Sequence, residues 1–396
     1  MIAWEGWSEA YRDGIYFAGG IPETSFCRYW INKIQTGRNK TEDIIRLQRE
    51  HPLLDEYWKV REVDLEAINV PSFVVADWGC DLHTRGTIEA YKRISSEHKW
   101  LEVHGRKKWG YFYEGHAVRR QLAFMDRFLH GKGDNEVKEW PKVRVEVRER
   151  YYYGTFIDEN EWPIATTRYE RMYLDIPNKK LATTSPSSTG EAKYDSTNKT
   201  DRLVFRHTFK EDVALVGHAK IHLSVALPDH DDGDVFAGLR KIDRLGNVIN
   251  FVFFTVHECG PLTIGCQRVN HRELVPEKST ECQPFQRHSK LQKLGAENVT
   301  VESDGSSLEL LKSKDKFCQL DIELLPFTGR IRHGESIELV IQGSDIVQME
   351  PALVQKHEDT VNKGDHIVYS GGRCESYIVL PFLDDLKLGT PWGGLP

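Results

Sequence analysis

No run in this sequence is apolar for long enough to cross a bilayer, which takes about twenty consecutive apolar residues; charged residues interrupt every stretch well short of that. An excess of positive charge is also missing. With 53 Lys and Arg against 60 Asp and Glu, the formal net charge is −7, so no general attraction to phosphate backbones or anionic lipid exists. Nucleic acid and membrane are therefore not expected as partners. The seven cysteines, at 27, 80, 259, 266, 282, 318 and 374, are odd in number and show no C-x-x-C spacing. That pattern fits reduced thiols better than a disulfide framework or a zinc site and points to the cytoplasm. The start, MIAWEGWSEAYRDG, lacks a basic or apolar leader and reads like the interior of a domain. The sequons at Asn39, Asn198 and Asn298 have no secretion signal to give them meaning.

What is present is an ordinary globular composition: 39% hydrophobic, 11% aromatic and 29% charged over 396 residues. That length exceeds one typical core and predicts two domains. KTEDIIRLQREHPLLDEYW (40–58) has helical spacing before Pro52, with Thr41 as N-cap. INVPSFVVADW (68–78) is a β-branched run expected of a strand buried on both faces of a parallel sheet. A turn at 82–86, an amphipathic helix and the strand KWLEVHG (99–105) complete a β-α-β unit. YFYEGHAVRRQLAFMDRFLHG (111–131) predicts a terminal helix with Leu122, Met125, Phe128 and Leu129 largely on one side. After WPKVRVEVRER (140–150) the pattern turns to short alternating stretches, RMYLDI, DRLVFRHTF, AKIHLSVAL, DVFAGLRKI and ESIELVIQGS among them, as in an antiparallel sandwich. The polar stretches 177–200 and 294–316 read as long surface loops. No internal repeat is seen.

Taken in order, WEGWSEAYRDGIYFAGGIP, HPLLDEYW, VPSFVVADW with LHTRGTIEAY, HKWLEVHGRKKW, GKGDNEVKEWPKVRVEVRE and GHAKIHLSVALPDHDDGDVFAGLRKID resemble the family of X-Pro dipeptidyl-peptidases, cocaine esterase and α-amino-acid ester hydrolases. The resemblance covers nearly the whole chain. It implies an α/β plus all-β fold class: a partial α/β-hydrolase domain with cap helices at 1–135, then a jelly-roll β-sandwich at 140–396. It also implies hydrolysis of a small ester, amide or peptide substrate through an acyl-serine, for which no cofactor or metal is needed. The G-x-S-x-G elbow of such enzymes is nowhere in the chain; Gly6-Trp7-Ser8-Glu9-Ala10 lacks the second glycine. The nucleophile is therefore expected outside these residues, the sheet is expected to be incomplete with its first strand at an edge, and a homo-oligomer is left open.

The triad order Ser, acid, His places both later members here by resemblance. Asp81 is the first candidate for the acid and Asp77 the second, since the family closes this strand with W-x-D and the chain reads Trp78-Gly79-Cys80-Asp81. His104, at the end of its strand, is the candidate base, although many members carry the histidine slightly later, where this chain has Lys107 and Lys108. The expectation is that His104 lies within hydrogen-bonding reach of Asp81 or Asp77. His83 and Arg85 are read as binding a substrate carboxylate, or as bracing the loop beneath the site. Trp4, Trp7 and Tyr11 are read as lining an acyl or amine pocket, or as core. Asp229, Asp231, Asp232 and Asp234 do not fit a calcium loop, because Arg240 falls where the twelfth-position glutamate belongs. The rival to the hydrolase is a jelly-roll protein that binds a glycan or protein without catalysis; an inactive paralogue regulating a relative is a third reading.

Overall fold

The run at 72–77 and its neighbour at 99–104 are the centre of the first sheet in the computed structural model, which describes residues 1–34, 37–38, 40–294, 317–348 and 356–384. β1 (Ile2–Trp4), β2 (Ser72–Asp77) and β3 (Lys99–His104) run parallel in that order. Every residue of β2 is buried because its two faces meet different layers. Val74 and Ala76 pack with Leu101, Val103, Ile88 and Tyr91 on one side, and Phe73 and Val75 with Trp100, Phe124 and Val137 on the other. Each fully buried aliphatic or aromatic side chain of this kind contributes about 1.5–3 kcal/mol. β1 pairs only with β2, so it forms an edge of the sheet among the described residues.

The helices are short at first. α1 (Phe26–Tyr29), α2 (Ile44–Glu50) and α3 (Glu56–Lys59) cap the sheet's end. α2 starts two residues later than Thr41 predicts, because the Asp43 carboxylate accepts from the Arg46 N–H; Asp55 caps α3 the same way, through Tyr57. α4 (Thr84–Arg93), α5 (Lys108–Phe112) and α6 (Gly115–Phe128) follow. In α6 the buried residues are Ala117 and Phe124, with Phe128 beside them, a stripe at seven- and four-residue spacing. Leu122 and Leu129 lie on other faces and are 60% and 74% exposed, contrary to the single apolar side expected for them.

The stretch expected to begin the sandwich instead extends the first sheet. β4 (Val143–Arg150) pairs parallel with β3, and β5 (Tyr153–Glu159) pairs antiparallel with β4. The first sheet thus continues past residue 140 through β4 and β5. Val143, Val145 and Val147 point into the same core as Val74 and Leu101, and that burial sets the pairing.

The remaining strands are β6 (Thr167–Asp175), β7 (Lys180–Ala182), β8 (Gly190–Asp195), β9 (Arg202–Thr208), β10 (Val213–Ala226), β11 (Asp234–Ile242), β12 (Val248–Ile249), β13 (Phe251–Phe253), β14 (His257–Gly260), β15 (Thr263–Arg268), β16 (Phe317–Ile331), β17 (Ser336–Gln342), β18 (Asp365–Ser370) and β19 (Tyr377–Leu383); β13 and β14 pair with each other as a separate two-stranded sheet, and the others build the sandwich. The strand path is β12-β11-β17-β9-β7-β6-β19-β10-β18-β8, with β15 on β11 and β16 on β10. Leu215, Ile221 and Leu223 from β10, Leu320 and Ile322 from β16, and Leu339 and Ile341 from β17 meet in one core. The polar segment 177–200, expected to be a loop, holds β7 and β8; β8 is recruited by antiparallel pairing with β18, and its outward residues explain the polar composition. Residues 295–316, with Asn298, and Asn39 lie outside the described residues. No helix among the described residues is long and apolar enough to cross a membrane.

Candidate functional site

A parallel sheet delivers the loops after its strands to one edge. At that edge β1 ends on Trp4 and Glu5, β2 on Asp77 with Cys80 and His83 in the following turn, and β3 on His104 with Lys108 opening α5. Glu5 has φ +62°, in the left-handed region, a conformation that costs a non-glycine residue energy and turns the chain sharply. That turn aims the Glu5 side chain inward, where it is 1% exposed. Its Oε2 lies 2.5 Å from the Lys108 ammonium and 3.5 Å from His83 Nδ1. Burial by itself raises the Glu5 pKa, but His83 and Lys108 overcome it and hold the carboxylate below its ordinary value. Cys80 Sγ is 3.1 Å from His83 Nδ1, and burial with the nearby Glu5 charge drives the Cys80 thiol well up.

Asp77 and His104 are paired residues in the β2-β3 register, yet no bond joins them. Asp77 accepts from the Gly79 N–H at 2.6 Å and from Thr255 Oγ1 at 3.4 Å; burial and then Glu5 push its pKa well up. The His104 ring stacks on Tyr111 at 4.0 Å. Its Nδ1 accepts from the Arg106 N–H and its Nε2 is buried without a partner. Burial, opposed by Glu5 and helped by Arg106, takes the imidazole down to about 3. Asp81 points elsewhere: it lines a small cavity with Phe17, Phe253, Asp345 and His357, and burial pushes it up to about 8. The structure therefore does not bring Asp81 and His104 together, and the hydrogen bond expected between His104 and a carboxylate is not formed.

The remaining candidates divide. Arg85 turns inward, with Nη1 2.9 Å from Asp13 Oδ1 and Nε 3.2 Å from Glu323, so it braces the junction with the sandwich. Tyr11 is core, its hydroxyl donating to the Pro52 carbonyl. Trp4 packs on Phe112 and beside His104. Trp7 and His83 do line a groove of about 480 Å³, whose other walls include Ile15, Phe26, Trp30, Trp58 and Leu82. Ser8 is buried and donates to Asp13. In the acidic tract, Asp234 is spent on Arg268 at 2.8 Å and Asp232 on the Asn270 N–H.

Comparison with known proteins fits this arrangement. Residues 135–379 match the model of the X-Pro dipeptidyl-peptidase C-terminal non-catalytic domain. A crystal structure of a CocE/NonD family hydrolase from Staphylococcus aureus is 39% identical over 96% of this chain and 67% of its own, with a TM-score of 0.89. This chain belongs to the CocE/NonD hydrolase family. Two more distant structures share its fold: an aminopeptidase from a marine sediment Thaumarchaeota archaeon (14% identity, 96% of this chain, 72% of the other, TM-score 0.68) and an α-amino acid ester hydrolase (14%, 96%, 72%, 0.67). No curated protein matches.

Within this CocE/NonD chain, the residues that sequence reading missed are Glu5 as the buried carboxylate of the edge and Cys80 beside it. The available signal was an acid directly after the apolar Ile2-Ala3-Trp4, where a strand must turn. Lys107 and Lys108 stand in the stretch where, by resemblance, many members carry the histidine.

Proposed function

We propose that this chain carries the acid–base edge of a hydrolase that cleaves an ester or amide, with an acyl-serine intermediate whose serine lies outside these residues. The observation that carries the reading is the gathering of Glu5, His83 and Lys108 at the ends of the parallel strands, beside the apolar groove. His83 is the imidazole at this edge with access to the groove: its side chain is 23% exposed. With its proton on Nδ1 directed at Glu5 and Cys80, Nε2 is left to accept the serine proton and return it to the leaving group. The 3.5 Å separation from Glu5 is long, as such bonds are before substrate binds. The groove takes the apolar part of the substrate. The coarser activity, hydrolysis, accords with the family; the serine and the ester or amide class belong to this proposal.

A fluorophosphonate probe tests it. The chain should remain unlabelled, with Ser8 held by Asp13, while a longer version carrying an upstream G-x-S-x-G elbow should be labelled, and His83→Gln should slow that labelling about a hundredfold or more. Labelling of any serine in the present chain overturns the proposal. Lys108 favours a second reading, the inactive paralogue: it lies in the stretch where, by resemblance, many members carry the histidine, and its ion pair with Glu5, joined by Cys80, raises its pKa against the lowering effect of burial, so it stays charged and accepts no proton. An elbow-bearing version that resists the probe would support that reading.

A further inference from the structure

We infer that Glu5, Cys80 and His83 bind a thiophilic divalent cation of the zinc class. One ligand atom of each lies within 4.8 Å of the other two. The types, carboxylate, thiolate and imidazole, are those zinc takes, and three protein ligands leave a fourth position open. The spacing fits as well. Around a tetrahedral zinc with bonds of about 2.3 Å to sulfur and about 2.1 Å to nitrogen and oxygen, neighbouring ligand atoms stand roughly 3.4–3.6 Å apart. Here Cys80 Sγ is 3.1 Å and Glu5 Oε2 3.5 Å from His83 Nδ1. Binding would widen the Sγ–Nδ1 pair by about 0.5 Å to reach that spacing.

The Glu5 carboxylate supplies a separate observation. It is 1% exposed, it is carried on a left-handed residue, and while Oε2 meets Lys108, Oε1 is buried with no hydrogen-bond partner. A buried carboxylate in that condition is unusual. The Lys108 ammonium, 2.5 Å from Oε2, touches the same oxygen that the cation takes and orients it. It also repels the ion, so affinity is lower than the donor set alone would give. On binding, the Cys80 thiol loses its proton to solvent, and thiolate and carboxylate together balance the two positive charges. His83 binds through Nδ1 and keeps its proton on Nε2. That tautomer has no lone pair left for a base, so the cation and the proton shuttle exclude each other.

Cobalt(II) is the probe, titrated into the whole chain with a phosphine reductant present. A thiolate-to-cobalt charge-transfer band is expected at one equivalent and should disappear on adding zinc. Cys80→Ser should abolish the band, His83→Gln should weaken binding about tenfold or more, and Lys108→Met should tighten it. If no band forms, or if it survives in Cys80→Ser because another of the seven cysteines is the ligand, the inference is overturned. Should Cys80→Ser not fold, His83→Gln decides, since that side chain is partly exposed; unchanged affinity there refutes the site. The hydrolase reading is tested separately by the fluorophosphonate probe and survives failure here.

Discussion

Replacing Arg85 by methionine should destabilise the folded chain by about 3–5 kcal/mol, the usual cost of breaking a buried pair by removing one partner. The guanidinium sits between Asp13, 0% exposed, and Glu323, 4% exposed. A direct Coulomb estimate for the 2.9 Å contact with Asp13, at an effective dielectric of 20, gives about 6 kcal/mol before desolvation is charged against it, so the two estimates are compatible. Methionine keeps most of the side-chain volume, which confines the loss to electrostatics. Asp13 retains donors in the Ser8 and Glu9 N–H groups, but among the described residues Glu323 keeps only Gln283, and burial already raises its pKa. Urea unfolding followed by tryptophan fluorescence and circular dichroism measures the change. Adding Glu323→Gln and Asp13→Asn to Arg85→Met should recover a good part of it, because neutral partners no longer carry an uncompensated charge. A loss below about 1 kcal/mol for Arg85→Met would show the cluster to be solvated and the bracing role unfounded.

Gly86 is packed so closely that an added Cβ would lie 2.4 Å from Asp13 Oδ2 and 2.8 Å from both the Gly6 carbonyl and the Ser8 N–H; Gly86→Ala should therefore cost about 1–3 kcal/mol in the same urea assay, and a neutral result would mean that the first turn of α4 stands off from the Glu5 loop. Burial holds His218 down to about 3 and His271 and His366 to about 4, so each stays neutral when folded but takes a proton when unfolded at an ordinary value near 6.5. Their depressed values make stability fall as pH drops below about 6.5, by about 1.4 kcal/mol per pH unit for each histidine, until the folded values are reached; His357, raised by Asp345 against burial, works in the opposite sense. Unfolding midpoints between pH 6.5 and 4.5 check this, and His218→Gln should reduce the slope by about one histidine's share. An unchanged slope in that variant would mean the folded state protonates His218 readily.

The sequence by itself determined the two layers of the molecule and the elements that build them. SFVVADW reads as a strand buried on both faces because it is a compact, β-branched apolar run, KWLEVH as its short neighbour, and the alternating stretches after 160 as strands facing one core. It also determined what the chain lacks, a G-x-S-x-G elbow. That β4 joins the first sheet was not legible, since VRVEVRER alternates as well for a sheet edge as for a sandwich, and only pairing with β3 decides between them. Nor was the site. Asp81 and His104 stand at the right places in chain order, but a side chain's direction depends on the turn it leaves, and Asp81 turns toward His357 while His104 stacks beneath Tyr111. Glu5, Cys80, His83 and Lys108 are separated by up to a hundred residues, and no spacing in the sequence announces them. The left-handed turn at Glu5 and the common edge of three parallel strands bring them within reach of one another, and those are properties of the tertiary structure alone.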